Sequence, residues 1–224
     1  MITPDPTSPA LAAGSTDDVD ALLEALRSGG TAAGAGALPA EFVSTLTAIL
    51  GAPGGALDVV LSFPQGYSTH RFTLARAGVL RRSRGLTAQE EIALHPVTVL
   101  PGALLRLVGI APVEALDAAT VLEVPRDAVD GLFDADAGAR TAAWRAVTAA
   151  SAALPTAAKE DLDSAPPRAA RVTRHRPEGS RSATVLLLRG RYLVLSPEDP
   201  GSLVGTTPTG AARAVTSTLL SADG

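Results

Sequence analysis

The sequence predicts an α+β fold, a central and mainly antiparallel sheet with a pseudo-twofold repeat and packed helices, and three observations lead there. The stretch 183–195, ATVLLLRGRYLVL, holds two apolar, β-prone runs, 185–188 and 192–195, parted only by Arg189, Gly190 and Arg191, which is a tight hairpin. Several segments instead space their apolar residues three or four apart, the period of an amphipathic helix. The same order of parts also occurs twice, over 57–109 and over 169–221.

In the hairpin, Gly190 supplies the positive backbone torsion a tight turn requires, and the flanking arginines are expected to keep their heads in water. The first fifteen residues are Pro, Ser, Thr, Gly and Ala with few large apolar groups, and are expected to form a disordered tail; one domain is expected over 16–222. Thr16 reads as an N-cap, Asp17 and Asp18 complement a helix dipole, and Val19, Leu22, Leu23 and Leu26 form one stripe that ends at Gly29 and Gly30. After a Gly/Ala linker, Pro39 opens a second helix whose face is Phe42, Val43, Leu46, Ile49 and Leu50.

Strands follow over 57–63, 71–75 and 79–82, joined by turns at Pro64, Gln65 and Gly66 and at Ala77 and Gly78, with a fourth over 92–99 and a helix from Pro101 to Gly109. The middle, about 120–163, reads as a helical insertion: a β-type run over 120–124, a helical turn from Pro125 through Val129 and Leu132, a helix over 140–154 around Trp144 and Val147, and an Ala-rich piece over 156–163. Ala165, Pro166 and Pro167 end it. Strands resume over 170–175, turn at 177–179 and enter the hairpin; 202–206 reads as an edge strand, and Pro208 opens a last helix with Ala212, Val215, Leu219 and Leu220 inward. In the two repeats PQG answers PEG, ARAG answers LRGR, and VLPGALLRLVG answers TTPTGAARAVT, the correspondence expected of a duplicated unit.

With 224 residues and 46% hydrophobic residues the chain can bury a core, but aromatics are 3%, so Ala, Val and Leu must build it. A net charge of −4 gives no basic field to hold nucleic acid or an anionic membrane, and no stretch is long enough to span one; cytoplasmic residence is the default. The absence of cysteine removes disulfides, thiolate metal sites and a Cys nucleophile. No nucleotide loop, HExxH or GxSxG pattern occurs, and no cofactor or metal is expected. His70, His95 and His175 are isolated beside strands and read as structural. Asp127, Asp130, Asp134 and Asp136 fit no EF-hand spacing and read as a solvated helix end, while Arg168, Arg171, Arg174, Arg176 and Arg181 read as an exposed strand face or a partner patch.

A chain without catalytic motifs is expected to act by binding, through loops and helix faces held on a rigid sheet. The turn at Pro64, Gln65, Gly66, Tyr67 and Ser68 is the first candidate, with Tyr67 as anchor, and Val129 and Leu132 of the middle helices are the second. Two further readings stand beside it. One is an enzyme in which His70, Asp58 and Arg71 converge on a pocket; the other is a scaffold or regulatory protein that forms homodimers through the strand near Ser202.

The segments LDVVLSF, HRFTLARAGVLRRSRG, TVLEVPRDAVDGL and RGRYLVLSPEDPGSLVGTTPTGAARAVTSTLL resemble the EspG family, cytosolic chaperones of actinobacterial type VII secretion, over about 16–222. The resemblance implies a quasi-twofold sheet with two helical parts, and a function of keeping a helical PE–PPE-type client, or another type VII secretion client, soluble for export. By position it implies client contacts at the loop 64–68 and on the helices of 126–162.

Overall fold

A computed structural model of the chain describes residues 1–30, 35–85, 87–155, 157, 162, 166–176 and 179–220. The fold is α+β: one large antiparallel sheet of 11 strands, ordered β1-β2-β6-β5-β4-β3-β8-β9-β10-β11-β7, with six α-helices among the described residues. Where the sequence leads to one domain over 16–222, the contacts gather the chain into two compact units. The first is Met1–Val59, Ser68–Gly102 and Arg174–Ser180, and the second is Val60–Tyr67, Ala103–Thr173 and Arg181–Gly224.

In the first unit β1 (Thr3–Asp5) and β2 (Ser8–Gly14) precede helices α1 (Thr16–Arg27) and α2 (Ala40–Gly51). The meander of β3 (Pro53–Phe63), β4 (Gly66–Ala75), β5 (Gly78–Arg84) and β6 (Glu90–His95) follows. Ser15, one residue before the expected cap, starts α1: its Oγ accepts the Asp18 N–H at 3.2 Å, and Asp17 and Asp18 favour the helix dipole. Val19, Leu22 and Leu23 of α1 and Phe42, Leu46, Ile49 and Leu50 of α2 bury against Leu80, Ile92 and Leu94 of the sheet. The two apolar stripes and one face of β5 and β6 thus form the core of this unit.

The first fifteen residues are not a tail. β2 pairs antiparallel with β6, Leu11 opposite Ala93 and Ala13 opposite Glu91, and Ile2 and Ala12 are buried in the core of the unit. The Asp5 carboxylate accepts the Thr7 N–H at 2.7 Å and so closes the turn between β1 and β2. A Cβ on Gly14 would stand 3.0 Å from Cγ1 of Ile2, so the glycine makes room for that side chain.

In the second unit, β7 (Val121–Glu123), α4 (Arg126–Gly131) and α5 (Ala137–Ala150) lie in the chain ahead of β8 (Arg168–Arg176) and β9 (Gly179–Leu188), whose Arg174–Ser180 portion belongs to the first unit, and of β10 (Arg191–Leu195), β11 (Ser202–Thr206) and α6 (Pro208–Ser217). The core joins Leu122, Val129, Leu132, Trp144 and Val147 to Leu186, Leu193 and Leu203. Between β9 and β10 both Arg189, at φ 51°, and Gly190, at φ 70°, are left-handed. The two-residue turn therefore demands of an arginine what was expected of the glycine alone. Arg191 is not in water: it is 5% exposed and its guanidinium meets the Glu114 carboxylate at 2.6 Å.

The strand at 202–206 is not an edge. β11 lies between β10 and β7, with Ser202 opposite Glu123 and Leu203 opposite Leu122, so its backbone is paired on both sides. The homodimer expected through this strand loses its surface. The order of elements does recur: β3, β4, β5, β6 and helix α3 (Leu100–Val108) against β8, β9, β10, β11 and α6. Most of the expected Ala-rich piece over 156–163, the break at Ala165 and the turn residues Pro177 and Glu178 lie outside the described residues.

Candidate partner-binding surface

Among the segments singled out from sequence, the turn between β3 and β4 is the one that is both exposed and held firmly. Phe63 ends β3 and Gly66 begins β4, so the turn proper is Pro64 and Gln65, and both are exposed. Proline fixes its own φ, and a two-residue connection leaves little slack. Beneath the tip, Ser62 is fully buried, and its Oγ accepts the indole N–H of Trp144 at 2.9 Å. One helical turn earlier on α5, the guanidinium of Arg140 stacks over the ring of Tyr67, 4.6 Å from its centroid.

Arg140 and Trp144 stand four residues apart, on one side of α5, and both reach the segment Val60–Tyr67 of the same unit. Sequence reading placed Trp144 in a helix core and gave Arg140 no part. The i, i+4 spacing of an arginine and the only tryptophan was the signal that could have linked both to one hairpin. Arg140 is itself held at the start of α5, where Nη1 donates to the carbonyls of Asp134 and Ala135 at 2.7 and 2.8 Å. Asp136 caps the helix by accepting the Ala139 N–H at 2.7 Å.

The other expected contact residues are elsewhere. Val129 and Leu132 are 1% and 0% exposed, packed in the core of the second unit, because the stripe that identified them as apolar is the stripe the core claims. Ser68 is buried in the first unit, where its Oγ lies 3.0 Å from Nε2 of His70. Tyr67 is half-buried under Arg140 and does not stand at the tip. The surface available to a partner is therefore Pro64 and Gln65, the outward side of Gly66, and the stacked Arg140–Tyr67 pair.

The groups proposed to converge for catalysis divide between the two faces of β4. Arg71 lies on the face turned to Asp58, with Nε 3.8 Å from the carboxylate, whereas the buried His70, one residue earlier, points the other way. Asp58 is met instead by His175, whose Nε2 lies 2.8 Å from Oδ2. His70 sits between two hydroxyls, Ser68 and, at 2.9 Å from Nδ1, Ser83. Burial first, then the charge of Arg81, lowers its pKa to about 4, so the ring is neutral at pH 7.

The acidic run is divided among structural tasks. Asp130 pairs with Arg171 at 2.6 Å, Asp134 accepts the Asp136 N–H, and Asp136 caps α5. Arg171 also lies 4.4 Å over the ring of Phe133, and Arg168 donates to the Gly109 carbonyl. Among the described residues no three His, Asp or Glu side chains are grouped to hold a metal ion, and no helix is long and apolar enough to cross a membrane.

No protein-family model matches the chain, and no curated protein matches it in sequence. Among solved structures it is similar in fold to the Mycobacterium tuberculosis type VII secretion system chaperone EspG5, solved in complex with a PE25–PPE41 dimer. The match has a TM-score of 0.52 and 13% sequence identity, and it covers 93% of this chain and 95% of the other.

Proposed function

From this fold likeness and the anchored turn between β3 and β4, we propose that the protein is a cytosolic secretion chaperone that binds a helical client of the PE–PPE type and keeps it soluble for export. The observation that carries the reading is the exposed tip at Pro64 and Gln65 seated on Trp144 and Arg140, within a chain that follows a secretion chaperone's fold along nearly its whole length. A helical client with an apolar end aggregates by that end, and a rigid surface that covers it draws the equilibrium toward the soluble complex. A tip that needs no ordering when it binds loses little conformational entropy, so even a small contact yields usable affinity. The Tyr67 ring under the Arg140 guanidinium gives an amphipathic anchor of the type that dominates binding hot spots.

The test is co-expression with a PE–PPE-type heterodimer, followed by affinity capture on the tagged chain. The double variant Pro64→Glu/Tyr67→Ala is expected to retain the far-UV spectrum of the parent and to lose at least about tenfold in client affinity, roughly 1.4 kcal/mol. Undiminished capture by the folded variant would refute this surface. Failure of the parent chain to retain such a client would refute the function.

A further inference from the structure

The first unit holds a second feature that the chaperone reading does not use. A cleft of about 620 Å³ opens over β3, β4, β5 and β8 beside the C-terminal ends of α1 and α2. Four arginines and a histidine line it, Arg27, Arg71, Arg82, Arg176 and His175, with no acidic side chain among the described lining residues and with Leu50, Pro53 and Leu80 as its apolar wall. This is a concentration of positive charge on a chain whose net charge is −4.

The strand register makes the arrangement costly without an anion. Arg71 and Arg82 are direct cross-strand partners in β4 and β5, and like charges placed opposite each other repel. Arg82 is offset by its own carboxylates, the buried Glu90 and, at 2.6 Å, Asp20. Arg71 is served far less well. Its ion pair is a single Nε contact to Asp58 at 3.8 Å, and Asp58 is already engaged by His175 at 2.8 Å. Among the described residues Arg27 pairs with Glu24 at 3.8 Å, on the surface of its own helix. The side chains of Arg71 and Arg27 are 65% and 51% exposed, so both forks are open to a ligand.

We propose that this cleft is a binding site for a phosphoryl anion. Arginine forks match the tetrahedral oxygens of phosphate in bidentate fashion, and Arg71 and Arg27 supply the open donors. The volume lies within the range of small-ligand pockets, roughly 300–1,000 Å³, and the exposed Pro53 offers contact to an organic body attached to the phosphate. The lining residues all belong to the first unit and none is shared with the proposed client surface, so each can fail without the other.

Calorimetric titration of the full chain with inorganic phosphate and, separately, with AMP at low salt tests it. Binding is expected and should weaken at least about tenfold on raising KCl from about 50 mM to about 500 mM. It should also weaken at least tenfold in Arg27→Ala/Arg71→Ala, and stay unchanged in Arg213→Ala, an exposed position of α6. Tighter binding of AMP than of phosphate assigns a phosphorylated organic ligand, and equal binding assigns free phosphate. No binding of either probe, or equal affinity in the Arg27→Ala/Arg71→Ala variant with the parent's thermal midpoint, overturns the proposal.

Discussion

Replacing Trp144 with phenylalanine isolates the hydrogen bond under the turn between β3 and β4. The indole N–H is donated to Oγ of Ser62 at 2.9 Å, and Ser62 is fully buried, so no water can take the donor's place once it is gone. An unsatisfied buried hydroxyl costs about 1–3 kcal/mol, and the lost bulk of the indole adds about 1 kcal/mol; the variant should be about 2–4 kcal/mol less stable than the parent. Ser62→Ala alone should cost about 1–3 kcal/mol, because it leaves the indole N–H without an acceptor. The double variant should fall short of the sum by about 1–2 kcal/mol, since the second change removes a group that the first has already orphaned. Urea unfolding read by far-UV circular dichroism measures all four proteins, Trp144 being the only tryptophan and so unsuitable as the probe. Additivity within about 0.5 kcal/mol would refute the claim that this bond fixes the turn.

Further outcomes follow from the same kind of reasoning. His70 is held neutral by burial and by Arg81, with its pKa lowered to about 4 from the model-peptide 6.5, so the unfolded chain takes up a proton that the folded chain refuses. Stability from this residue is complete above about pH 6.5 and declines toward pH 4, by up to about 3 kcal/mol; urea midpoints should fall more steeply over that window in the parent than in His70→Asn, and parallel slopes would contradict the assignment. At Gly205 an added Cβ would stand 2.3 Å from the carbonyl oxygen of Asp117, while at Gly66 it meets nothing within 4 Å. Gly205→Ala should therefore cost about 1–3 kcal/mol and lower the thermal midpoint where Gly66→Ala does not, and equal midpoints would contradict the packing. Removal of residues 1–14 should lower the thermal midpoint and promote aggregation, because it bares the backbone of β6 along 90–93 and takes Ile2 and Ala12 out of the core; an unchanged midpoint would restore the tail reading.

Much of the fold was legible because it rests on short-range chemistry. Pro64 and Gln65 and Gly190 mark turns by residue type, Gly78 marks one that falls a residue earlier, at Arg76 and Ala77, and the stripes of α1 and α2 show by period. What stayed hidden depends on partners far away in the chain. β2 is a strand because β6, some eighty residues on, presents a free edge to it, and no local signal in SPALAAG says so. β11 loses its edge to β7, which reads as a β-type run over 120–124 but carries no local signal that it pairs with a strand some eighty residues on. The candidate surface was legible only in part. Pro64 and Gln65 were placed correctly at an exposed turn, but an apolar helix position such as Leu132 reads alike from sequence whether it faces a partner or its own core.

The edges also bear on how the chain meets other molecules. In the first unit the strand order ends on β1, three residues that include Pro4, which has no N–H to offer a further strand. In the second it ends on β7, again three residues, with the charged Glu123 as its last and Pro125 two residues beyond. Short, charged and proline-marked edges are the usual protection against strand addition. A protein guarded in this way gains little from lengthening its sheet with a partner's strand. Under the function proposed above, recognition would fall instead to the turn, where the exposed Pro64 and Gln65 stand on a base held by Trp144 and Arg140.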